Sequence, residues 1–464
     1  MSRMFRIVLA ILALMASAHA QWNEQVLYSF QGGTDGATPV GSVVFDQQGN
    51  LYGATRSGGS ASCFGPFGCG TVYKLSPPTQ NGDPWTETIL YVFKGNVQGD
   101  GAAPLGGLIA DAAGNLYGTT GYDGTGRCTL FGSIDGCGTV YEMSPPSQPG
   151  GAWTETILYS FQGGNDGYSP IGDLVFDNDG NLYGATLFGG GKGTNCNSLY
   201  GGNCGTIFEL SPPKIKGESW TEKVLHSFSS AGTWSAYGDG AEPNGGVVLD
   251  DRGNLYGTTN FGGYAIGKCN GGVGGTGCGT VFMLSPPRGN DTWVETILHR
   301  FVSAPDDGAG PESGVILDGY GGLLGTTYAG GGNRSPSGTI FRLEPQPDGT
   351  WSQQILLKLS DDSRGAFPEG PVALGPNGSL YGTASGGGAN GGGTLLQLYP
   401  LTAGEDAWGT TVLYSFGANG DAYFPDARLI FHSGAIYSTS SKGGTGGEQN
   451  CEYGGCGTVY KAWP

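Results

Sequence analysis

Seven copies of one unit, four short strand-like runs in each copy, and a chain that opens on the strand type its last copy lacks together predict an all-β fold. The arrangement expected is a single seven-bladed β-propeller of four-stranded blades, its ring closed when the N-terminal strand 22–30 joins the C-terminal blade. The unit is marked by Asp-x-x-Gly-Asn-Leu-Tyr-Gly-(Ala/Thr)-Thr at 46–55, 111–120, 177–186 and 250–259. Fainter copies run from Asp318 to Thr327, Gly378 to Thr383 and Gly434 to Thr439. Trp22, Trp85, Trp153, Trp220, Trp293, Trp351 and Trp408 open the units, 57 to 73 residues apart. A right-handed β-solenoid is the competing architecture, but its coils are usually shorter, and a ring accounts better for the chain ends.

Within the second unit the β-rich runs are Trp85 to Phe93, Gly106 to Asp111, Asn115 to Thr120 and Thr139 to Ser144. Asp111 to Asn115 supplies the hairpin, because its glycine can take the positive φ that a tight turn requires. Pro145-Pro146 stops the next strand, since proline cannot donate to a ladder. Taking the strand after each Pro as innermost, a blade reads inner strand, Asn-Leu-Tyr strand, Gly-Thr-Val-Tyr strand and Trp strand. The chain begins with an outermost strand and ends with a third one, Gly457 to Ala462, so strand 22–30 fills the vacancy in the last blade. Such closure removes the sheet edges that invite aggregation.

The sequences Gly-Asn-Leu-Tyr-Gly-Thr-Thr, Gly-Thr-Val-Tyr-(Lys/Glu)-(Leu/Met)-Ser-Pro and Trp-Thr-Glu-Thr-Ile-Leu-Tyr-Ser-Phe resemble the repeats of a bacterial exported family, the GloVer-repeat proteins. The resemblance spans residues 22–464 and implies export and a propeller-like fold, with no catalytic residues. Members often end in a surface-sorting segment, whereas here the last strand runs directly to Pro464, so no surface anchor is expected.

Residues 1–20 read as a signal peptide: Arg3 and Arg6 precede the apolar run Ile7 to Ala16, and Ala18-His19-Ala20 fits the small-x-small cleavage rule. A mature chain from Gln21, secreted or periplasmic, follows, with 21–464 as one domain. No later apolar run approaches the ~20 residues needed to span a bilayer. The net charge of −18 disfavours nucleic acid, because phosphate neutralisation needs clustered Lys and Arg. A monomer is expected.

The ten cysteines fall in twos before the Gly-Thr strands: Cys63 with Cys69, Cys128 with Cys137, Cys196 with Cys204, Cys269 with Cys278, and Cys451 with Cys456. Units five and six lack both members, never one, which is what disulfides within each loop predict. Such short loops should contribute roughly 2 to 3 kcal/mol each. Thiolate metal binding fits poorly, since each loop offers two sulfurs where structural zinc wants four ligands.

Motifs for chemistry are sparse. His226 and His299 replace the tyrosine of Leu-Tyr-x-Phe, His432 replaces the turn aspartate, and no His-Glu-x-x-His, Gly-x-Ser-x-Gly or Walker loop occurs. Gly272 to Gly277 matches a dinucleotide pattern only by letters, without a strand-to-helix context. Asp177 to Asn181 has the start of a calcium loop but lacks the later glutamate, and reads as a hairpin turn. Asp35, Asp100, Asp166, Asp239, Asp307 and Asp421 lie between outer and inner strands, either as Asp-Gly turns or as a carboxylate rim for calcium or sugar hydroxyls. No other cofactor is expected.

The clearest asymmetry follows the proline that enters each inner strand. Units one to three place Val40, Leu105 and Ile171 there, and units four to seven place Asn244, Glu312, Glu369 and Asp426, with Arg428 close by. The overhanging loops from Tyr328 to Ser337 and from Ser385 to Gly392 are also shorter than Leu187 to Cys204. Clustered acids beside a gap suggest a ligand entrance, while joint drift of units five and six is the plain alternative. The expected function is a non-catalytic binding or scaffold propeller for carbohydrate or an envelope protein. The alternatives are a polysaccharide lyase or glycoside hydrolase using Glu312, Glu369 and Asp426, and a structural adhesion or matrix protein.

Overall fold

The computed structural model describes residues 22–59, 63, 68–80, 82–95, 99–130, 133–134, 136–191, 204–215, 217–229, 238–263, 277–289, 292–303, 306–332, 337–360, 363–401, 408–418, 420–446, 451 and 454–464. The signal-peptide segment, Cys196, Cys269, the stretch Gly272 to Thr276 and the centres of the loops at 187–204 and 328–337 lie outside them.

Seven antiparallel four-stranded sheets are arranged as a propeller. Blade 1 runs Gly36–Phe45, Leu51–Gly58, Thr71–Ser76 and Thr86–Val92 from the axis outward. Blades 2 to 6 repeat this order, and their third strands are Thr139–Ser144, Thr206–Ser211, Thr280–Ser285, Thr339–Pro345 and Thr394–Pro400. Blade 7 takes Ile430–His432, Ala435–Ser440 and Thr458–Trp463 from the C-terminal end and Asn23–Ser29 from the N-terminal end. The closing pair is antiparallel, from Asn23 opposite Trp463 to Ser29 opposite Thr458.

The repeated motif explains the hairpins. Asp46 Oδ1 accepts from the backbone N–H groups of Gln48 and Asn50, and Oδ2 accepts from Asn50 Nδ2 at 2.7 Å and the Tyr52 hydroxyl at 3.0 Å. An aspartate, an asparagine and a tyrosine are thereby committed to one turn, whose Gly49 has φ 81°. Asp111, Asp177 and Asp250 repeat these bonds, so Asp177 to Asn181 is a hairpin turn. The threonines of the two middle strands pair as well, Thr55 with Thr71 and Thr120 with Thr139, each at 2.8 Å.

The core lies between blades. The phenylalanine ending six of the seven outer strands packs edge-on against the third-strand aromatic of the next blade: Phe30 on Tyr73, Phe93 on Tyr141, Phe161 on Phe208, Phe228 on Phe282, Phe301 on Phe341 and Phe416 on Tyr460, all at 5.0–5.3 Å between centroids. Such pairs contribute about 0.5–1.5 kcal/mol beyond area burial.

Inner strands depart from the expected boundaries. In blade 2 the strand starts earlier, at Gly101–Pro104, breaks, and resumes at Ile109–Ala110, while the next strand runs on to Asp123. In blade 1 the register slips between Val40 and Val44, and in blade 3 between Ile171 and Val175. These bulges free the residues after the proline from the ladder and let the chain reach the axis. The residue before the proline is left-handed in every blade, with φ of 52° to 61° at Thr38, Ala103, Ser169, Glu242, Gly310, Phe367 and Phe424. Its N–H donates to a carbonyl of the preceding blade, as Thr38 does to Cys456 at 2.8 Å and Phe367 to Ser337 at 2.7 Å. This latch accounts for a conformation that only glycine adopts readily.

Candidate functional site at the axial mouth

The positions after the prolines converge. Val40, Leu105, Ile171, Asn244, Glu312, Glu369 and Asp426 line one cavity of about 290 Å³ on the axis, and Arg428 lines it too. All five residues singled out for ligand binding therefore share one space, contributed by four successive blades. Behind them the backbones are too close for side chains. A Cβ on Gly107 would collide with Ser42, and one on Gly245 with Gly314. This glycine collar narrows the axis, so the space opens as a mouth.

Three acids sit half-buried in one sector. Burial, and then the charge of Glu369, pushes the Glu312 carboxyl up to about 7. The same two causes, in the same order, push Asp426 up to about 7, opposed by a hydrogen bond from Ser441 and the charge of Lys442. Glu369 is also raised by burial, against the Ser385 hydroxyl, which donates to its Oε1 at 2.8 Å, and against Lys442. Among the described residues, these three acids do not form a set in which one oxygen from each lies within 4.8 Å of the others.

Aromatic groups flank the acids. Phe367, next but one before Glu369, stacks on Tyr328 with centroids 4.9 Å apart and planes 25° from parallel. Glu369 and Glu312, after burial, raise the Tyr328 phenol, which places that ring beside both carboxylates. Lys442 Nζ lies 4.6 Å from the Phe424 ring centroid. Glu242, before Pro243, is pushed up to about 7 by burial. These residues before the prolines stand next to the cavity wall without lining it, and escape a reading confined to the position after them. Their signal is the same one: in successive copies the position holds Thr, Ala, Ser, Glu, Gly, Phe and Phe.

Asp173 was also missed by sequence reasoning. It accepts from the Ser42 hydroxyl of blade 1 and from the Gly107 N–H of blade 2 at 2.8 Å, and Arg428 Nε of blade 7 lies 3.5 Å away. Blades 1, 2, 3 and 7 are thus tied at the cavity floor, and Arg428 has a structural counter-ion there. One aspartate and one arginine among the residues three after the prolines gave the signal.

The other acidic series is not gathered. Asp35, Asp100, Asp166, Asp239, Asp307 and Asp421 each sit at a separate blade interface. Asp35 accepts from the N–H groups of Gln31 and Gly36, and Asp100 from those of Lys94 and Gly101. Tyrosine hydroxyls add a further donor at Asp35, Asp100, Asp166 and Asp421. Cysteines pair as Cys63–Cys69, Cys128–Cys137 and Cys451–Cys456, with Cα separations of 5.0, 5.1 and 5.1 Å. Cys204 and Cys278 are disulfide-bonded as well.

Fold and mouth together define a repeat-built propeller with one differentiated sector. The profile of the Gloeobacter/Verrucomicrobia repeat matches residues 127–349. No curated protein matches it. Among solved structures, the chain is similar to a luciferin-regenerating enzyme, at 10% identity over 96% of this chain and 95% of that one, with a TM-score of 0.43. A protein of Bacteroides uniformis designated a 6-phosphogluconolactonase shares 14% identity over 80% and 83%, with a TM-score of 0.43. A puromycin-hydrolysing peptidase of Mycobacterium tuberculosis shares 11% over 89% of this chain but 53% of its own length, with a TM-score of 0.47. None of the three assigns a role to a residue here.

Proposed function

We propose that the chain is an exported, non-catalytic binding propeller that recognises a carbohydrate of the cell envelope or its surroundings through the axial mouth. The observation that carries this reading is the convergence of Asn244, Glu312, Glu369, Asp426 and Arg428 on one cavity, in a ring whose first three blades offer Val40, Leu105 and Ile171 instead. Half-buried carboxyls and an amide can bond sugar hydroxyls, and rings such as Phe367 and Phe424 can stack on sugar faces. A small cavity fits a terminal or single residue better than a long chain segment. Export rests on Arg3, Arg6, the run Ile7 to Ala16 and the cysteine pairs, which oxidising compartments favour. No helix among the described residues is long and apolar enough to cross a membrane.

A glycan array with the purified protein tests the reading, read beside Glu369→Gln and Phe367→Ala. Binding to one glycan class, weakened at least tenfold by each substitution with the melting temperature little changed, is the expected result. No glycan binding, or binding indifferent to both substitutions, overturns it. The enzymatic reading has one observation in its favour: Glu312 and Asp426, both near 7, are suited to donate protons at neutral pH. Reducing-sugar or unsaturated-product release that Glu369→Gln abolishes would replace binding with catalysis.

A further inference from the structure

Blade interfaces are closed at their rims by a recurring trio. Its members are the residue two before the phenylalanine that ends an outer strand, the loop aspartate, and the glutamate of the next Trp-x-Glu strand. Four interfaces use tyrosine: Tyr28 with Asp35 and Glu87, Tyr91 with Asp100 and Glu155, Tyr159 with Asp166 and Glu222, and Tyr414 with Asp421 and Glu24. In these the phenol donates directly to the aspartate at 3.1, 2.9, 3.0 and 3.2 Å. Between blades 4 and 5, His299 lies 3.2 Å from Asp307 and the glutamate is replaced by Gln353, which donates to Asp307 at 3.0 Å. Between blades 3 and 4 the substitution is different, for His226 replaces the tyrosine while both acids, Asp239 and Glu295, remain.

We infer that His226, Asp239 and Glu295 form a site for a divalent transition metal of the zinc class, joining blades 3 and 4. His226 Nε2 lies 3.8 Å from Asp239 Oδ2 and 3.7 Å from Glu295 Oε1, and one ligand atom from each residue falls within 4.8 Å of the others. These separations exceed the phenol and imidazole hydrogen bonds at the sister interfaces. They lie close to the roughly 3.3–3.6 Å expected between neighbouring ligands on an ion with bonds of about 2.0–2.2 Å. This is the one such set among the described residues.

Three further features fit the assignment. Glu295 Oε1 is buried and accepts no hydrogen bond among the described residues. Asp239 is oriented from behind, since Ser229 N–H lies 3.1 Å from both carboxylate oxygens and the Ser229 hydroxyl donates to Oδ2 at 2.8 Å, the kind of support that fixes metal ligands. The side chains are 15–20% exposed, which leaves a path for an ion. One imidazole and two carboxylates neutralise a dication and suit zinc, whereas calcium wants six or more oxygens. Three protein ligands leave a fourth position for water.

The test uses untagged, chelator-treated protein. Calorimetric titration with zinc chloride and with calcium chloride is run on the wild type, His226→Tyr and Glu295→Gln, with His299→Tyr as control. The first substitution installs the tyrosine of four sister interfaces and the second the amide found at position 353, so both should fold, which the melting temperature without metal verifies. The expected result is one zinc per chain, a zinc-dependent rise in melting temperature, at least tenfold weaker binding in His226→Tyr and Glu295→Gln, and unchanged binding in His299→Tyr. Absence of zinc binding, zinc binding that survives both substitutions, or preference for calcium overturns the assignment.

Discussion

At Glu369 the chain sets a carboxylate between two others that burial already disfavours as ions. Its charge is the second cause, after burial, of the raised Glu312 and Asp426 carboxyls. A raised carboxyl means that the folded state binds more protons than the unfolded one between the two pKa values, so stability is fully present below the unfolded pKa and falls as pH rises through the folded one. For Glu312 and Asp426 the window runs from their ordinary values of 4.5 and 3.8 up to about 7. Glu369→Gln keeps a partner for Ser385 and removes the charge. Carbon-detected NMR of the carboxyls should then show Glu312 and Asp426 titrating lower than in the wild type, though still above ordinary values because burial remains. Unchanged titration would show that the three acids do not sense one another.

At the scale of elements, the hairpin and the rim trio do opposite electrostatic work. Hydrogen bonds hold the Asp46, Asp177 and Asp250 carboxyls below the usual range even against burial, so the hairpins keep their acceptors ionised. Burial followed by the neighbouring aspartate pushes Glu24 up to about 9, Glu87 and Glu155 to about 7, and Glu222 to about 8. At neutral pH the glutamates at the upper end keep their proton, and a protonated carboxyl can donate to the aspartate as the Gln353 amide donates to Asp307. Deprotonation turns each pair into two like charges, so these interfaces are stable below about 4.5 and weaken as pH rises through 7 to 9. Glu222→Gln should therefore melt near the wild-type temperature at pH 5 and above it at pH 9, by calorimetry. An equal alkaline loss in both proteins would remove Glu222 from the account. Little of this trio was legible beforehand: the aspartates and the Trp-x-Glu glutamates are more than fifty residues apart, and only the ring puts them in one interface. The hairpins and strands were legible because turn chemistry and alternation are local. The left-handed residues before the prolines were not, because Thr38, Ser169 and Phe367 carry no sign of positive φ, which the latch to the preceding blade imposes.

Over the whole ring the repeated devices fail together at one seam. Between blades 5 and 6, Leu357, Arg364 and Thr410 occupy the trio positions and Leu359 the ring-closing phenylalanine position, beside a cavity of about 910 Å³. Copies that diverge jointly here sit next to the acidic sector of the mouth, which is why sequence differences marked the sector without separating drift from function. Closure, in contrast, is carried by a fully equipped interface. Asn23–Ser29 pairs with Thr458–Trp463, Leu27 and Phe30 are buried there, and Tyr28 completes a trio with Asp35 and Glu87. A Cβ on Gly457 would collide with Pro39 of blade 1, so blade 7 and blade 1 also meet backbone to ring. Losing two buried apolar side chains costs roughly 2–5 kcal/mol each, which approaches the ~5–15 kcal/mol by which a typical domain is stable. A chain starting at Gln31 should accordingly lose its cooperative melting transition and associate through the exposed edge of Thr458–Trp463. A synthetic 22–30 peptide added in excess should restore a monomer by size-exclusion chromatography, because the missing strand needs no covalent link to pair. A truncated chain that melts as a monomer at the full-length temperature would mean that the ring does not depend on its first strand.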